Sequence, residues 1–415
     1  MEQFRWAVFD MNPPSPPVHP EHAPSKYAYI DALRGYAVLL VLTVHVGGSI
    51  EELPYPLRRL TDFGWHGVQL FFLISCVTLM LSWKSDERKG IANPVDFWLR
   101  RFFRIAPMYY FAAGCYFFIS PPKHGFDLIQ LLASMLFVNA WHPQLTPTNP
   151  EQWMVVPGGW SIGVEFTFYM LFPLFVSLIT NWRKALLAFA GALVFGSAVN
   201  YFAWGALEPA NGPVATENFL YFWFPTQLSI FTLGTALYFM LDHFKQAPDS
   251  APAVFIRRHH LALALGCLLC MAALAHLPLS NRLPPEAPLY VPRLLAAAFV
   301  FMAFTCIMAL QPASVFVNRA ICSLGQVSFS AYLIHFAVIW KLPEIFPTVF
   351  DIHATGWPAI GVFFVFWPVV VLLTYGLSFI TFKAIEEPMI AVGRNLQLHR
   401  KKTTNLSAMK TRPQA

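Results

Sequence analysis

The chain has 415 residues, of which 56% are hydrophobic and 16% aromatic but only 12% charged. That composition lies outside the range of water-soluble globular domains. The net charge of +6 comes from 28 basic against 22 acidic residues, with no tract that interleaves basic and aromatic residues on a soluble face; nucleic acid is therefore excluded as a partner, and the basic excess is read for membrane orientation.

Residues 1–26 hold Pro13, Pro14, Pro16, Pro17, Pro20 and Pro24 without an apolar core, which reads as a cytoplasmic arm rather than a signal peptide. Apolar stretches long enough to span follow at about 29–48, 65–83, 104–120, 160–180, 184–204, 219–241, 259–277, 289–310, 325–341 and 358–381. The stretch 126–141 is apolar but short and ends in Trp-His-Pro, which suits a half-inserted segment. With ten spans and the N-terminus inside, the inner segments carry 22 of the 28 basic residues. An eleventh span would invert everything after it, so the positive-inside rule places both termini in the cytoplasm. The expected fold is all-α: a polytopic membrane bundle of about ten helices over residues 27–392, one half-inserted segment, and a basic cytoplasmic tail over 393–415 without regular structure. The cysteines (Cys76, Cys115, Cys267, Cys270, Cys306 and Cys322) fall mostly in or beside apolar runs, with one lone CxxC. They read as small apolar fillers, and no metal or disulfide framework is expected.

The first span carries the most telling spacing. Arg34 and His45 are 11 residues apart in an otherwise apolar run, about three helical turns, so they share a face roughly 16 Å apart. That puts a histidine near mid-membrane, where an ionisable group is costly and by default a functional candidate. Glu165 and His335 are the other two ionisable groups well inside apolar helices. Ser161, Glu165 and Tyr169 form one polar stripe, and Ser328, Tyr332 and His335 form another. A buried carboxylate needs a partner, and His45 is the natural one for Glu165. At the inner face, Arg101 and Arg104 lie one turn apart in FWLRRFFRIAP beside Arg100. Together with Arg34 they suit a ligand carrying several phosphates, although each arginine also fits ordinary positive-inside flanking.

The segments IDALRGYAVLLVLTVH, GVQLFFLISCVTLMLSW, FWLRRFFRIAPMYY, WSIGVEFTFYMLFP, SFSAYLIH and KAIEEP resemble, in order and spacing, the signatures of the acyltransferase-three family of integral-membrane O-acyltransferases over about residues 27–392. The resemblance implies transfer of an acyl group, commonly acetyl from acetyl-CoA, to a hydroxyl of a saccharide or other acceptor outside the cytoplasm. It implies an acyl-CoA donor substrate without a permanently bound cofactor, and residence in the bacterial cytoplasmic membrane. Position by position, it makes His45 the essential histidine, Arg34, Arg101 and Arg104 the donor-associated arginines, and Glu165 the acidic residue of WS-x-x-x-E. The chain departs from the family pattern at Gln69 and Cys76, where an acidic residue and a glycine are common. Some relatives carry a further periplasmic esterase-like domain, for which this chain ends too soon.

The expected chemistry is general-base catalysis by His45, with Glu165 orienting the imidazole and the second stripe in support. A covalent acyl intermediate on a histidine or serine stays open. So do two other classes. Buried histidines and a carboxylate also mark proton-coupled transporters, and a non-catalytic assembly protein would tolerate loss of His45.

Overall fold

The computed structural model describes residues 27–123, 125–147, 152–277 and 292–410, without the side chains of 292 and 401–410. The Pro-rich arm lies outside the described residues. The helices are α1 (Ala28–Ser49), α2 (Tyr55–Asp62), α3 (Gly67–Arg88), α4 (Pro94–Ile119), α5 (Leu128–Met135), α6 (Gly159–Leu178), α7 (Trp182–Asn211) and α8 (Pro213–Phe222). They continue with α9 (Phe224–Gln246), α10 (Ala251–His276), α11 (Pro292–Leu310), α12 (Arg319–Gln326), α13 (Ser328–Ile345), α14 (Gly356–Thr381) and α15 (Glu387–Lys410). Among the described residues nine helical stretches are long and apolar enough to cross a membrane, and the bent pair α12–α13 makes a tenth if counted as one span. The protein is an integral membrane protein with a polytopic helical fold.

Helix α1 is the hub. It packs against α2, α3, α11, α12, α13 and α14, and its residues enter both apolar cores. Leu33 and Val41 join the core shared with α3, α4, α6, α9 and α11, while Val38, Leu42 and Val46 join the one shared with α13 and α14. In contrast, α7 and α10 turn Leu187, Val194, Phe202, Leu265 and Leu269 outward, as lipid-facing helices do.

Three sequence expectations change and one is kept. The 325–341 span does not begin as one straight helix: α12 and α13 meet at 83°. The bend follows from close packing, because α12 lies across α1 with Gly325 on the Asp31 carbonyl and Gly35 on the Ile321 carbonyl. A Cβ at Gly325 would come within 1.7 Å of that carbonyl oxygen. The 126–141 stretch, as expected, does not make a span: it contains only the eight-residue α5, about 12 Å of helix, too short to cross. The 184–204 stretch is part of a 30-residue helix, α7. Finally, the basic tail is helical to Lys410. After a π-helical turn at Phe382–Glu386, α15 runs back along α4, with Gly393 against Phe103 and the Gln397 side-chain amide donating to the Asp96 carbonyl at 2.6 Å.

Candidate active site

The arginines are positioned by a helix start. Asn93 caps α4, accepting from the backbone N–H groups of Val95 (2.9 Å) and Asp96 (3.3 Å), with Pro94 in the first turn. This sets the phase of the next turns. Arg100 is drawn to Asp86 at 2.8 Å, whereas Arg101 and Arg104 turn to a cavity of about 80 Å³ that Arg34 also lines. The three guanidiniums have few protein partners. Arg34 donates to the Thr78 hydroxyl at 3.3 Å and lies 3.8 Å from Asp31. Arg101 stacks on Phe97 and Tyr169, with its Nε buried and unbonded. Arg104 has no hydrogen bond or ion pair among the described residues. Clustered cations with spare donors have the chemistry that suits an anion.

The opposite wall carries both polar stripes. Ser161, Glu165 and Tyr169 of α6 and Ser328 and Tyr332 of α13 all border this cavity. Glu165 accepts from Ser75 of α3 and from Tyr169, each at 2.5 Å, and lies within electrostatic reach of Arg101. The two stripes are stitched together: the Tyr332 hydroxyl accepts from Ser161 at 2.8 Å and donates to the Gly158 carbonyl at 2.9 Å. Gly158 starts α6 in the left-handed region (φ 75°), and a Cβ there would sit 2.9 Å from the Tyr332 hydroxyl, so both conformation and space call for glycine.

His45 does not border that cavity. It lines a second one of about 340 Å³ toward the other end of α1, with Asp62, Trp65, Phe336 and Trp340. Its ring neighbours are Phe336 (centroids 4.3 Å apart), His335 (5.2 Å) and Trp65 (5.4 Å). The expected pairing of His45 with Glu165 is therefore not formed. Glu165 is already held by two hydroxyls on the arginine side, and the ionisable neighbour of His45 is His335. Among the described residues none lines both cavities. Between them lie the rings of Tyr332, His335 and Phe336, with His335 fully buried, 5.7 Å from Tyr332 and 4.2 Å from Phe336.

Among the described residues neither ring nitrogen of His335 makes a well-aligned hydrogen bond, although the backbone of Ala331 and Tyr332 lies beside the ring. Its stretch of α13 is shaped by Tyr116 of α4, whose hydroxyl accepts from the Ala337 N–H at 3.1 Å and donates to the Leu333 carbonyl at 2.8 Å. A side chain inserted into the helical ladder in this way loosens the helix locally. Sequence reasoning passed over Tyr116, and also Ser75 and Thr78, whose one-turn spacing in an apolar run was a usable signal. It assigned no role to Glu386 of KAIEEP, which is buried in the π-helical turn, accepts from Ser330 and faces the field of Arg104.

Comparison with known proteins matches these elements to one family. Residues 27–383 match the acyltransferase-three family, described as an acyltransferase domain, and the chain belongs to that family. It is 25% identical to the acyltransferase MdmB of Streptomyces mycarofaciens over 338 residues, covering 75% of this chain and 78% of that protein. It is 30% identical to the exopolysaccharide production protein ExoZ of Rhizobium meliloti (strain 1021) over 189 residues, 42% of this chain and 56% of that protein. A Staphylococcus aureus (strain COL) protein named provisionally as an O-acetyltransferase is 24% identical over 327 residues, 75% of this chain and 50% of its own length. No solved structure matches. The protein is thus a membrane O-acyltransferase, which decides between the enzyme and transporter classes that the sequence pattern left open.

Proposed function

We propose that this member of the acyltransferase-three family moves an acyl group, taken as acetyl, from a cytoplasmic acyl-CoA to a hydroxyl of a saccharide on the far side of the bacterial cytoplasmic membrane, with both termini cytoplasmic. The observation that carries the reading is the pair of cavities at opposite ends of α1, one lined by Arg34, Arg101 and Arg104 and the other by His45. An anionic donor suits the first and a neutral acceptor the second.

The donor's phosphates would engage the free donors of Arg104 and Arg101, with Arg34 behind them. Glu165, fixed by Ser75 and Tyr169, would then hold the arginine cluster in place rather than act on His45. The pantetheine arm would run toward His45 past Tyr332 and Phe336. His45 takes the proton of the acceptor hydroxyl as its oxygen attacks the thioester carbonyl. When the carbon–sulfur bond breaks, the imidazolium returns the proton to the departing thiolate. His335, ring to ring with His45, is the group placed to share that proton. General-base catalysis is worth about 10²–10⁴-fold, so replacing His45 should lose at least that much.

Two outcomes separate donor from acceptor roles. Arg104→Gln is expected to raise the acetyl-CoA concentration for half-maximal rate about tenfold or more, with little change for the acceptor. Unchanged donor dependence would return Arg104 to a topology signal. ExoZ carries exopolysaccharide production in its name, which supports a saccharide as the acceptor class here.

A further inference from the structure

We propose that the His45 cavity is an acceptor site built for a neutral pyranose ring, with Trp65 and Trp340 against the sugar's apolar face and Asp62 accepting from its hydroxyls. The inference rests on the acyl-transfer reading and specifies which part of the protein selects the acceptor.

Three observations carry it. First, the cavity of about 340 Å³ places two indoles beside the proposed base: Trp65 from the segment before α3 and Trp340 from α13. Trp65 keeps 38% of its surface exposed beside the half-buried His45, so its indole face is open to a ligand. The C–H face of a sugar ring is apolar while its edge is hydroxylated, so indole walls with a polar group at the rim match it.

Second, Asp62 is an unpaired carboxylate on the same wall. It has no hydrogen bond or ion pair among the described residues. Yet three arginines lie within its electrostatic reach, Arg58, Arg59 and Arg293. Each is turned to backbone carbonyls instead: Arg58 to Gly47 and Ile50, Arg59 to Leu277, and Arg293 to Leu277. The carboxylate is thus left free to accept from a ligand. A hydroxyl donating to a carboxylate forms a stronger bond than a neutral pair.

Third, the two cavities differ in their lining: three guanidiniums border the first, whereas the described residues lining this one include Asp62 and no lysine or arginine. A phosphorylated ligand would find no guanidinium on this lining to hold its phosphate, and an alkyl chain would leave the Asp62 carboxylate unanswered at a desolvation cost. A polyhydroxylated neutral ring meets both requirements and brings a hydroxyl to His45.

The test uses the purified full chain in lipid nanodiscs, labelled acetyl-CoA, and the saccharide fraction extracted from the envelope of cells that make the protein. Trp65→Leu and Asp62→Asn should each raise the saccharide concentration for half-maximal transfer about tenfold, with the acetyl-CoA dependence unchanged. Trp65→Phe, which keeps an aromatic face, should recover most of the loss. If the wild type transfers label and both variants keep its saccharide dependence, the proposed site is wrong while acyl transfer stands. Equal loss for donor and acceptor would mark these residues as structural and would also overturn the proposal. If the wild type moves no label into the saccharide, the acyl-transfer reading fails first and the site falls with it.

Discussion

Glu165 and His45 show where residue-level reading stops. Both stand out because an ionisable group in an apolar run must be answered, and depth along the helix allowed them to meet. What depth along a single helix does not contain is azimuth between helices. Glu165 faces Ser75, Tyr169 and the arginines, while His45 faces Trp65, Phe336 and His335. This shifts the expected outcomes. Glu165→Gln keeps an acceptor for both hydroxyls but removes the charge beside Arg101, so its main effect should fall on donor binding. Kinetics that instead showed a normal acetyl-CoA dependence and a collapsed maximal rate would restore a role for Glu165 at the base. The stripes themselves were legible: Ser161, Glu165, Tyr169, Ser328 and Tyr332 line one cavity because i, i+4 spacing fixes a common face. The one-turn spacing of Arg101 and Arg104 already set them apart from Arg100, which Asp86, 14 residues earlier, draws away.

At the scale of elements, the contact between α1 and α12 sets the position of Arg34. Gly35 and Gly325 let the two backbones approach. Gly325→Ala must push the helices apart, and overpacking of this kind costs about 1–3 kcal/mol. A fall in thermal stability together with loss of transfer is expected, whereas Gly266→Ala, with nothing within 4 Å of the added carbon, should leave both near wild type. An equal stability for the two variants would contradict the packing argument. The helices themselves were legible from apolar run length, but the 83° bend and the helical tail were not. Both arise from partners distant in sequence: α1 for α12, and Phe103 and Asp96 for α15.

The far end of α1 is joined to the start of α14 by a small clamp outside the membrane helices. Glu51 donates its N–H to the Ile352 carbonyl at 2.9 Å, and His353 Nδ1 lies 3.0 Å from the Glu51 carboxylate. The hydrogen bond to Glu51, then its negative charge, raises His353 above its ordinary value near 6.5. A raised value in the folded state means that the contribution is complete below about 6.5 and fades as pH rises through the folded value. The wild type should therefore exceed Glu51→Gln in melting temperature more at about pH 6 than at about pH 8.5. A difference independent of pH would remove the ion pair from the clamp.

On the scale of the whole molecule, the bundle separates two chemistries along one helix. Arginines gather at one end of α1 and a histidine with aromatic walls at the other, with Tyr332, His335 and Phe336 between. The proposed transfer would use such a division, with donor and acceptor arriving from opposite sides and water kept from the thioester. The eleven-residue spacing of Arg34 and His45 already implied a site extended along the membrane normal. The sequence could not reveal that the two ends are distinct cavities, since the rings dividing them come from a bent helix late in the chain.

The most direct test of this account is labelled acetyl-CoA supplied to inverted membrane vesicles, with wild type and His45→Ala compared at equal inserted protein. Label is expected in saccharide with the wild type and at least about 10²-fold less with the variant. Equal labelling by the two proteins would contradict it.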